Sequence, residues 1–482
     1  MTAAARNRPA NHLYYGDNLE VLRREIGDAS VDLIYLDPPF NSNANYNILF
    51  RSPTGDSADA QIEAFEDTWH WNDAAEDAFD QVARSGNTRA FDLLNAMRAF
   101  LGENDMMAYL AMMAVRMIEL HRVLKPTGSL YLHCDPTAGH YLKLLLDGVF
   151  GARAFRREIV WRSGWVSGFK TRTANWIRNH DTIFYYVRDP AGTWTFNKQY
   201  VAHEADYVRR GGGENPLGKA IDDVWDDPAL YSPNIKSFSS EKLGYPTQKP
   251  VALLERIVSA SSNAGDVVLD PFCGCGTAVH AAQKLGRQWI GIDVTHLAIS
   301  LIEKRMQAAF PDAAFTVEGT PRDLASAEDL ARRDKYQFQW WVVSMIDAMP
   351  HGGKRKGADG GIDGIVYFKP DGKRTERALV SVKGGDNVGV QMIRDLHSTM
   401  EREKAPVGIF VTKALPTAAM EKEAAAVGRF HAEASGRSYP RLQIITLAEL
   451  MRGKRPDIPY VDPTAAFRRA AREETGQQGS LL

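Results

Sequence analysis

Short apolar runs that each end in an aspartate recur along the first part of the chain. The runs are brief and rich in Val, Ile, Leu and Tyr, a pattern that predicts buried β-strands. They occupy residues 12–15, 31–36, 129–134, 267–269 and 289–292, and their aspartates are Asp17, Asp37, Asp135, Asp270 and Asp293. Helical patterns lie between them, at residues 18–26, 105–124 and 277–285. Strands alternating with helices predict an α/β fold with a parallel, doubly wound sheet.

The five aspartates are expected to converge on one crevice. Ligands of doubly wound sheets bind outside the carboxyl ends of the strands, so acids placed there face a common site. An aspartate in that position can also simply cap the following helix, and this alternative holds for any one of the five taken alone. Their repetition favours the shared site.

A second α/β domain is predicted at residues 336–460, because the glycine-rich turns disappear after Arg305 and a new pattern begins. The sequence between the two domains, residues 311–335, is polar enough to be a linker or a surface helix pair. Residues 461–482 are expected to form a loosely held tail. The second domain has predicted helices at 336–348, 390–402 and 418–427, and predicted strands at 361–368, 378–383, 407–412 and 442–445.

The composition is that of a globular protein with several domains. The 482 residues are 44% hydrophobic and 24% charged, and at roughly 100 to 200 residues per domain they divide into about two to four units. The apolar stretch 106–120 is too short and too charged to span a bilayer, so it predicts a buried helix and no membrane partner. Three cysteines are too few for a disulfide framework and favour a reducing cytoplasm.

Charge is distributed unevenly, although its total is only −2. That total excludes a uniformly basic protein that coats DNA. Residues 51–90 hold nine acids and three bases and are expected to form an acidic insertion. Residues 152–210 hold eleven bases and five acids with aromatic residues between them, a combination suited to nucleic-acid backbone and bases. The expected DNA contacts in this basic segment are Arg162, Lys170, Arg172 and Arg178.

A glycine-rich loop at residues 270–277 joins a predicted strand to a predicted helix. Its glycines let a ligand approach the backbone near the helix N-terminus. A phosphate-binding loop would need a lysine before its final Ser or Thr, and none is present, so nucleotide hydrolysis is disfavoured. Cys273 and Cys275 lack a second Cys or His pair and predict packing rather than a metal site. Asp293, after the next strand, can accept hydrogen bonds from ribose hydroxyls.

The segment Asp37-Pro38-Pro39-Phe40 offers an acidic acceptor, a rigid carbonyl and an aromatic face together. Proline has no N–H, so adjacent prolines fix the backbone and leave carbonyl oxygens available. This set suits an exocyclic amino group on a planar base: Asp37 and the Pro38 carbonyl accept its two N–H bonds, and Phe40 stacks on the ring. A plain Asp-Pro turn is the alternative, and the neighbouring glycine-rich loop argues against it.

These motifs resemble the S-adenosylmethionine-dependent DNA amino-methyltransferases of the permuted beta class. The matching segments, in that family's order, are residues 15–19, 31–40, 245–250 and 270–293. The resemblance covers residues 11–306 and implies a Rossmann-like core in two parts, 11–151 and 244–310, with a target-recognition domain inserted at 152–243. Residues 132–135 and 155–161 are similar to the modification subunits of type III restriction systems.

The resemblance also implies roles for individual residues. Gly274 and Gly276 would approach the methionine part of S-adenosylmethionine, Asp293 its ribose and Asp17 its adenine amino group. The methionine end would be bordered by Gln248 and Lys249, and the other expected cofactor contacts are Asn18, Asp270, Phe272 and Thr277. The flipped target base would be held by Asp37, Pro38, Pro39 and Phe40. In the family, Asp at the first position of this motif leans towards adenine, so N6 of adenine is the expected target and N4 of cytosine the alternative.

Asp363, Ser381 and Lys383 in the second domain are similar to the metal site of the Mrr-type restriction-endonuclease fold. In that pattern an Asp holds Mg²⁺, a second acid or Gln lies two residues before the Lys, and the Lys activates water. Ser381 is a weaker ligand than a carboxylate, and the preceding helix offers Gln337 and Gln339 where the fold often has an acid. DNA binding without cleavage is therefore expected. A Mg²⁺-dependent nuclease and a hairpin with no ligand role are the alternatives.

The expected function is a site-specific methyltransferase of double-stranded DNA that belongs to, or derives from, a restriction-modification system. The alternatives are a bifunctional methyltransferase and endonuclease, a DNA-binding regulator with a vestigial core, and an enzyme that methylates protein or RNA. A homodimer and a separate restriction partner are both compatible with the sequence.

Overall fold

The protein forms two α/β units. The computed structural model describes residues 11–39, 70–165, 174–202, 217–232, 241, 243, 245, 247–351, 361–371, 374–433, 435–459 and 472–473, with the backbone alone at 45–49 and 61–66. Three of the predicted site residues, Phe40, Lys170 and Arg172, lie outside the described residues.

The first unit contains a nine-stranded sheet. Its elements before residue 152 are β1 (Asn11–Tyr15), α1 (Asn18–Glu25), β2 (Val31–Leu36), β3 (Asn45–Leu49), β4 (Gln61–Glu66), α2 (Asp73–Arg84), α3 (Thr88–Leu101), α4 (Asp105–Val123), β5 (Leu124–Cys134) and α5 (Gly139–Phe150). The later elements are β6 (Phe155–Arg162), β7 (His180–Val187), β8 (Tyr200–Val201), β9 (Lys219–Ala220), β10 (Val224–Trp225), α6 (Val251–Ser261), β11 (Val267–Asp270), α7 (Thr277–Lys284), β12 (Gln288–Asp293), α8 (His296–Ala309) and β13 (Phe315–Glu318).

The strand order of this sheet is β10-β6-β7-β5-β2-β11-β12-β1-β13. Neighbouring strands are parallel except at β7, which runs antiparallel to both β5 and β6. Helices α1 to α5 pack on one face and α6 to α8 on the other. Side chains alternate along β2, so that Tyr35 faces the second layer and Ile34 the first. The predicted strands and helices are present within a few residues of their expected bounds, and the α/β sheet with helices on both faces is confirmed.

Strands β6, β7 and β10 correct the boundary expected for a separate domain at residues 152–243. They extend the core sheet, and β7 pairs with β5 from Ser129↔Val187 to Cys134↔Thr182. Ile183 and Tyr186 of β7 are both fully buried although they point to opposite faces of the sheet. A strand buried on both faces lies in the interior of a sheet, so the core continues through residue 187 before any inserted domain can begin.

Parts of the acidic insertion and of the predicted linker also belong to the packed structure. Phe79 and Val82 of α2 are buried in the layer formed by α1 to α5. The segment expected to be a linker contains β13, which pairs in parallel with β1 at the edge of the sheet. It also contains α9 (Leu324–Arg333), whose Ala327 and Leu330 enter the core of the second unit. The few apolar residues of these segments are spaced as in a strand or a helix. The high overall polarity of the segments hid this spacing in the sequence.

The second unit has a five-stranded sheet in the order β14 (Met349–Pro350), β15 (Gly364–Phe368), β16 (Glu376–Lys383), β17 (Val407–Thr412) and β20 (Leu442–Thr446). The helix 390–402 and the strand 407–412 match their predicted bounds. The elements after α9 are α10 (Lys335–Met345), β14 (Met349–Pro350), β15 (Gly364–Phe368), β16 (Glu376–Lys383), α11 (Val390–Arg402), β17 (Val407–Thr412), α12 (Ala418–Ala426), β18 (Arg429–Ala432), β19 (Arg437–Pro440), β20 (Leu442–Thr446) and α13 (Leu447–Met451).

Helix α10 joins the two units. Its Trp340 packs in one cluster with Leu297 and Leu301 of α8, and Gln337 accepts a hydrogen bond of 3.1 Å from the backbone N–H of His296. The second unit therefore rests on the helix that follows β12. Helix α4 is buried over most of its length, as expected, and within the described residues no helix is long and apolar enough to cross a membrane.

Replacing Leu330 by Ala should lower the free energy of unfolding by about 2 to 4 kcal/mol, because its side chain is 3% exposed and leaves a cavity when truncated. Leu324→Ala is the control on the same helix, since Leu324 is 43% exposed and its loss should cost less than about 0.5 kcal/mol. Urea unfolding of the full chain measures both. Equal effects would contradict the assignment of α9 to a core.

Candidate active site

Asp37 and Lys249 form an ion pair where the two parts of the core meet. Asp37 follows β2 and Lys249 lies just before α6, and the Lys249 Nζ to Asp37 Oδ2 distance is 2.6 Å. The Lys249 side chain is 10% exposed and the Asp37 side chain 16% exposed, so water screens this pair less than it screens a surface ion pair. The resemblance implies that Lys249 borders the methionine end of a cofactor. Lys249 lines the cavity described below, and its ammonium group also contacts the predicted catalytic carboxylate.

The glycine-rich loop adopts backbone angles that favour glycine at two positions. Gly274 has φ 49° and Gly276 has φ 74°, both in the left-handed region. A Cβ added at Gly276 would lie 2.8 Å from Ile302 Cγ1, and one at Gly274 would lie 3.3 Å from Tyr245 Cε1. Gly274 lines the cavity described below. Gly276 is not among the lining residues, and its N–H donates to the Cys273 carbonyl at 2.7 Å.

Asp293 fixes the loop from the end of β12. Its carboxylate accepts hydrogen bonds from the backbone N–H of Gly274 at 2.9 Å and from both the backbone N–H and the hydroxyl of Thr295 at 2.9 Å. These hydrogen bonds tie the glycine-rich loop to the residue that precedes α8. Burial raises the pKa of Asp293 to about 6, against the opposing effect of these hydrogen bonds.

Asp17 and Asn18 are held by Arg116, one of the charged residues that interrupt the apolar stretch 106–120. Arg116 Nη2 donates to Asp17 Oδ2 at 2.6 Å, and Arg116 Nε donates to Asn18 Oδ1 at 2.6 Å. Asn18 Nδ2 in turn donates to the Pro271 carbonyl at 2.8 Å. A single arginine in an otherwise apolar buried helix was the available signal, since a buried charge requires a partner.

One cavity of about 310 Å³ collects most of the predicted residues. This volume lies at the lower end of the range for small-molecule sites. Gln248 is not among its lining residues, because its amide bonds Leu243 N–H and the Glu241 carbonyl. The predicted residues in the lining are Asp17, Asn18, Asp37, Pro38, Pro39, Lys249, Asp270, Phe272, Gly274, Thr277 and Asp293, joined by Tyr35, Arg116 and Tyr245, among others.

Asp270 is the most deeply buried acid of this cavity. Burial raises its pKa well above the usual range, and the nearby charges of Asp37 and Asp293 raise it further. Its carboxyl accepts a hydrogen bond from the Phe272 N–H at 3.1 Å. The Asp270 carboxyl therefore helps to hold the backbone of the loop after β11.

The two described DNA-contact candidates are engaged in ion pairs within the protein. Arg162 Nη1 lies 2.7 Å from Asp226 Oδ2. Arg178 pairs with Asp181 and, at 3.1 Å, with Asp135 Oδ2. Both arginines are more than 40% exposed, so a phosphate group can reach them.

In the second unit, protein donors surround Asp363. Gln339 Nε2 donates to Asp363 Oδ1 at 2.8 Å, and the Val382 N–H donates to Oδ2 at 2.7 Å. The Ser381 hydroxyl lies 3.5 Å from the same Oδ2. A glutamine and a serine stand where a metal site would need carboxylates. Across the described part of the chain, no group of three His, Cys, Asp or Glu side chains is placed to hold a metal ion.

Residues 31–304 match the family described as DNA methylase, over more than half of the chain. DNA adenine methyltransferase YhdJ of Escherichia coli is 30% identical over 309 residues, which are 62% of this chain and 84% of that protein. Type II methyltransferase M.HpaI of Haemophilus parainfluenzae is 31% identical over 196 residues, 40% of this chain and 57% of M.HpaI. The chain belongs to the DNA methylase family, whose members use S-adenosylmethionine.

Other matches are partial. Type II methyltransferase M.BamHI of Bacillus amyloliquefaciens is 27% identical over 307 residues. The chain spans little more than half the length of M.BamHI and of M.HpaI. The crystal structure of the M1.HpyAVI–SAM complex gives a TM-score of 0.35 at 20% identity, covering 61% of this chain and 98% of that one. Residues 348–452 match a family described as NACHT-associated inactive Restriction Endonuclease 1.

The residues of the cavity fit S-adenosylmethionine. The carboxylates of Asp17 and Asp293 are acceptors for amino and hydroxyl groups, and Phe272 and Pro271 supply apolar surface. The glycine at position 274 leaves room that a side chain would fill against Tyr245. A glycine at this position also lets a ligand lie directly against the backbone.

The affinity for S-adenosylmethionine should weaken as the pH falls through about 6. Asp293 has a pKa raised from 3.8 to about 6, and its charged form is the better acceptor, so protonation should weaken binding by up to about tenfold per pH unit below the pKa. Calorimetric titrations between pH 5 and 8 measure this. Asp293→Asn is the control and should bind weakly with no such dependence. Affinity of the unaltered protein that stays constant over this range would exclude Asp293 from the binding step.

Proposed function

We propose that this protein is an S-adenosylmethionine-dependent DNA methyltransferase that modifies the exocyclic amino group of a base flipped out of double-stranded DNA. The observation that carries the proposal is that Asp37, Pro38 and Pro39 share one cavity with the glycine-rich loop and Asp293. An amine-binding segment and a cofactor-binding segment thus open into the same space. A vestigial core would have no need to keep both.

These residues would act by positioning the amine and favouring its reactive geometry. An exocyclic amine is a poor nucleophile because its lone pair is conjugated with the ring. Asp37 Oδ1 and the Pro38 carbonyl would accept its two N–H bonds, and two such acceptors favour the pyramidal nitrogen of the transition state. Lys249 holds Asp37 Oδ2 at 2.6 Å and so fixes the direction of the other oxygen.

S-adenosylmethionine, when bound, supplies a methyl group on a positively charged sulfur, open to in-line displacement by the amine. The cavity walls would hold the two reactants at attack distance. After transfer, the nitrogen carries one proton too many and becomes acidic. Asp37, or water beyond it, accepts that proton. The base returns to the duplex without any covalent bond to the protein having formed.

We propose N6 of adenine as the target, with N4 of cytosine as the alternative. Two observations support adenine: aspartate occupies the first position of the Asp37-Pro38-Pro39-Phe40 motif, and one relative that matches over 84% of its length is a DNA adenine methyltransferase. Two of the relatives described above, M.HpaI and M.BamHI, are named type II methyltransferases, and this supports a role in a restriction-modification system. We keep four further points as predictions: that the protein is similar to type III modification subunits, that it belongs to the permuted class, that it forms a homodimer, and that it has a restriction partner.

Asp37→Ala should reduce methyl transfer to DNA by roughly a hundredfold or more, because it removes both an amine acceptor and the proton acceptor. The affinity for S-adenosylmethionine should persist, because Asp293 and Gly274, the residues proposed to meet the cofactor, are unaltered. Transfer of a radiolabelled methyl group to mixed-sequence DNA measures the first quantity, and calorimetry the second. Asp363→Ala is the matched control in the other unit and should keep full transfer. Near-normal transfer by Asp37→Ala would exclude the catalytic role.

For the second unit we propose a DNA-binding or structural role without cleavage. Asp363 is surrounded by a glutamine amide and a backbone N–H rather than by metal ligands. Unmethylated plasmid DNA incubated with the full chain and Mg²⁺ should stay intact, as judged by gel electrophoresis. Cutting that Asp363→Ala abolishes would instead establish the bifunctional enzyme.

A further inference from the structure

Helix α10 of the second unit contacts the segment that forms one wall of the cavity, and the proposed reaction gives this contact no role. Strand β12 ends at Asp293, and Asp293, Val294 and Thr295 line the cavity in succession. The next residue, His296, begins α8 and is buried. Its backbone N–H donates to Gln337 Oε1 of α10 at 3.1 Å. The lining segment is therefore bonded directly to the second unit.

The direction of this hydrogen bond is fixed by its chemistry. A backbone N–H can only donate, so the Gln337 amide must present its oxygen to His296. The first N–H groups of a helix have no acceptor within the helix, and a buried one needs an acceptor from elsewhere. In α8 the Thr295 hydroxyl accepts from the Ala298 N–H at 3.2 Å. Gln337 supplies the acceptor for His296 and so completes the N-terminal cap of α8 from the other unit.

The capped segment also holds the glycine-rich loop. Asp293 Oδ1 accepts from the backbone N–H and from the hydroxyl of Thr295, each at 2.9 Å, and Asp293 Oδ2 accepts from the Gly274 N–H at 2.9 Å. The position of the Thr295 backbone thus sets the direction of the Asp293 carboxylate. Because His296 follows Thr295 directly, a hydrogen bond that fixes the His296 N–H also fixes this part of the cavity.

Two aromatic contacts of α10 and α8 support the same wall. Trp340 of α10 packs in one buried cluster with Tyr245 and Cys275, and both of these residues line the cavity. The His296 ring stacks on the Tyr15 ring, with 3.6 Å between the ring centroids. Tyr15 packs against the cores of both units, and the residue that follows it lines the cavity. The second unit is therefore in contact with several parts of the proposed cofactor site.

We propose that Gln337 is a positioning residue for S-adenosylmethionine, and that the second unit acts through it to keep the cofactor site in its binding geometry. Gln337 does not line the cavity, so it acts through the backbone of His296. A site that is already ordered loses less conformational entropy when the ligand binds, and its affinity is higher for that reason. This inference rests on the cofactor of the proposed function and is independent of which base is methylated.

The test is calorimetric titration of the full chain with S-adenosylmethionine at pH 8, above the pKa of about 6 of Asp293. Gln337→Met keeps a side chain of similar length but removes the strong acceptor. Its dissociation constant should rise about threefold to tenfold, the range expected for one lost hydrogen bond. Gln337→Glu restores an acceptor at the N-terminus of α8, where a negative charge is favourable, and should bind within about twofold of the unaltered protein.

Gln339→Met is the matched control, because it makes the same substitution two residues further along α10. The Gln339 amide bonds Asp363 within the second unit at 2.8 Å, so its loss should leave the dissociation constant unchanged. The binding stoichiometry separates positioning from misfolding. A partly unfolded sample of Gln337→Met would show fewer sites per chain at an unchanged dissociation constant. We expect the opposite result, which is unchanged stoichiometry with a raised dissociation constant.

The outcomes separate this inference from the proposed function. An unchanged dissociation constant in Gln337→Met, or an equal rise in Gln339→Met, would overturn this inference and leave the proposed function standing. The same holds if Gln337→Glu binds as weakly as Gln337→Met. An unaltered, folded protein that binds no S-adenosylmethionine would overturn both. A protein that binds the cofactor with the expected pattern but methylates no DNA would overturn the proposed function alone.

Discussion

The parallel pairing of β2 with β11 brings the two halves of the site together. Val268 pairs with Leu33 and Leu269 with Ile34, so the residues that follow each strand emerge side by side. Asp32, at the other end of β2, secures this register because its Oδ2 accepts from the Val267 N–H at 2.9 Å and from Lys125 Nζ at 2.7 Å. A shift of one residue would turn every side chain of β2 to the opposite face. Asp37 would then leave the cavity.

Collecting acids at one edge of a sheet has an electrostatic cost, since like charges that are partly buried repel one another. Each acid is stabilised differently. Arg116 neutralises Asp17, and Lys249 neutralises Asp37. Asp293 accepts three hydrogen bonds from Gly274 and Thr295, and burial raises the pKa of the Asp270 carboxyl, which lowers the cost of placing it there. The acidic crevice is thus a set of separately compensated groups, which leaves Asp37 and Asp293 in position to meet a ligand.

Much of the fold was predictable because apolar periodicity and strand-terminal aspartates are local signals. The helix at 390–402 and the strand at 407–412 were placed to the residue. The role of β6 and β7 was not predictable in this way, because a basic surface and an interior strand coexist in one segment. The pairing of Lys249 with Asp37 joins residues far apart in the chain, and only the folded sheet determines it. Arg116 was visible as a charge in an apolar helix, but its partners were not.

The account depends on a methyl group reaching a base amine, and nucleoside mass spectrometry observes this directly. DNA incubated with the full chain and S-adenosylmethionine carrying a deuterated methyl group is digested to nucleosides and analysed. We expect N6-methyladenine heavier by three mass units, which would also settle adenine against cytosine. A labelled N4-methylcytosine would redirect the target while keeping the mechanism. DNA without any labelled base, from a folded protein that binds the cofactor, would contradict the account.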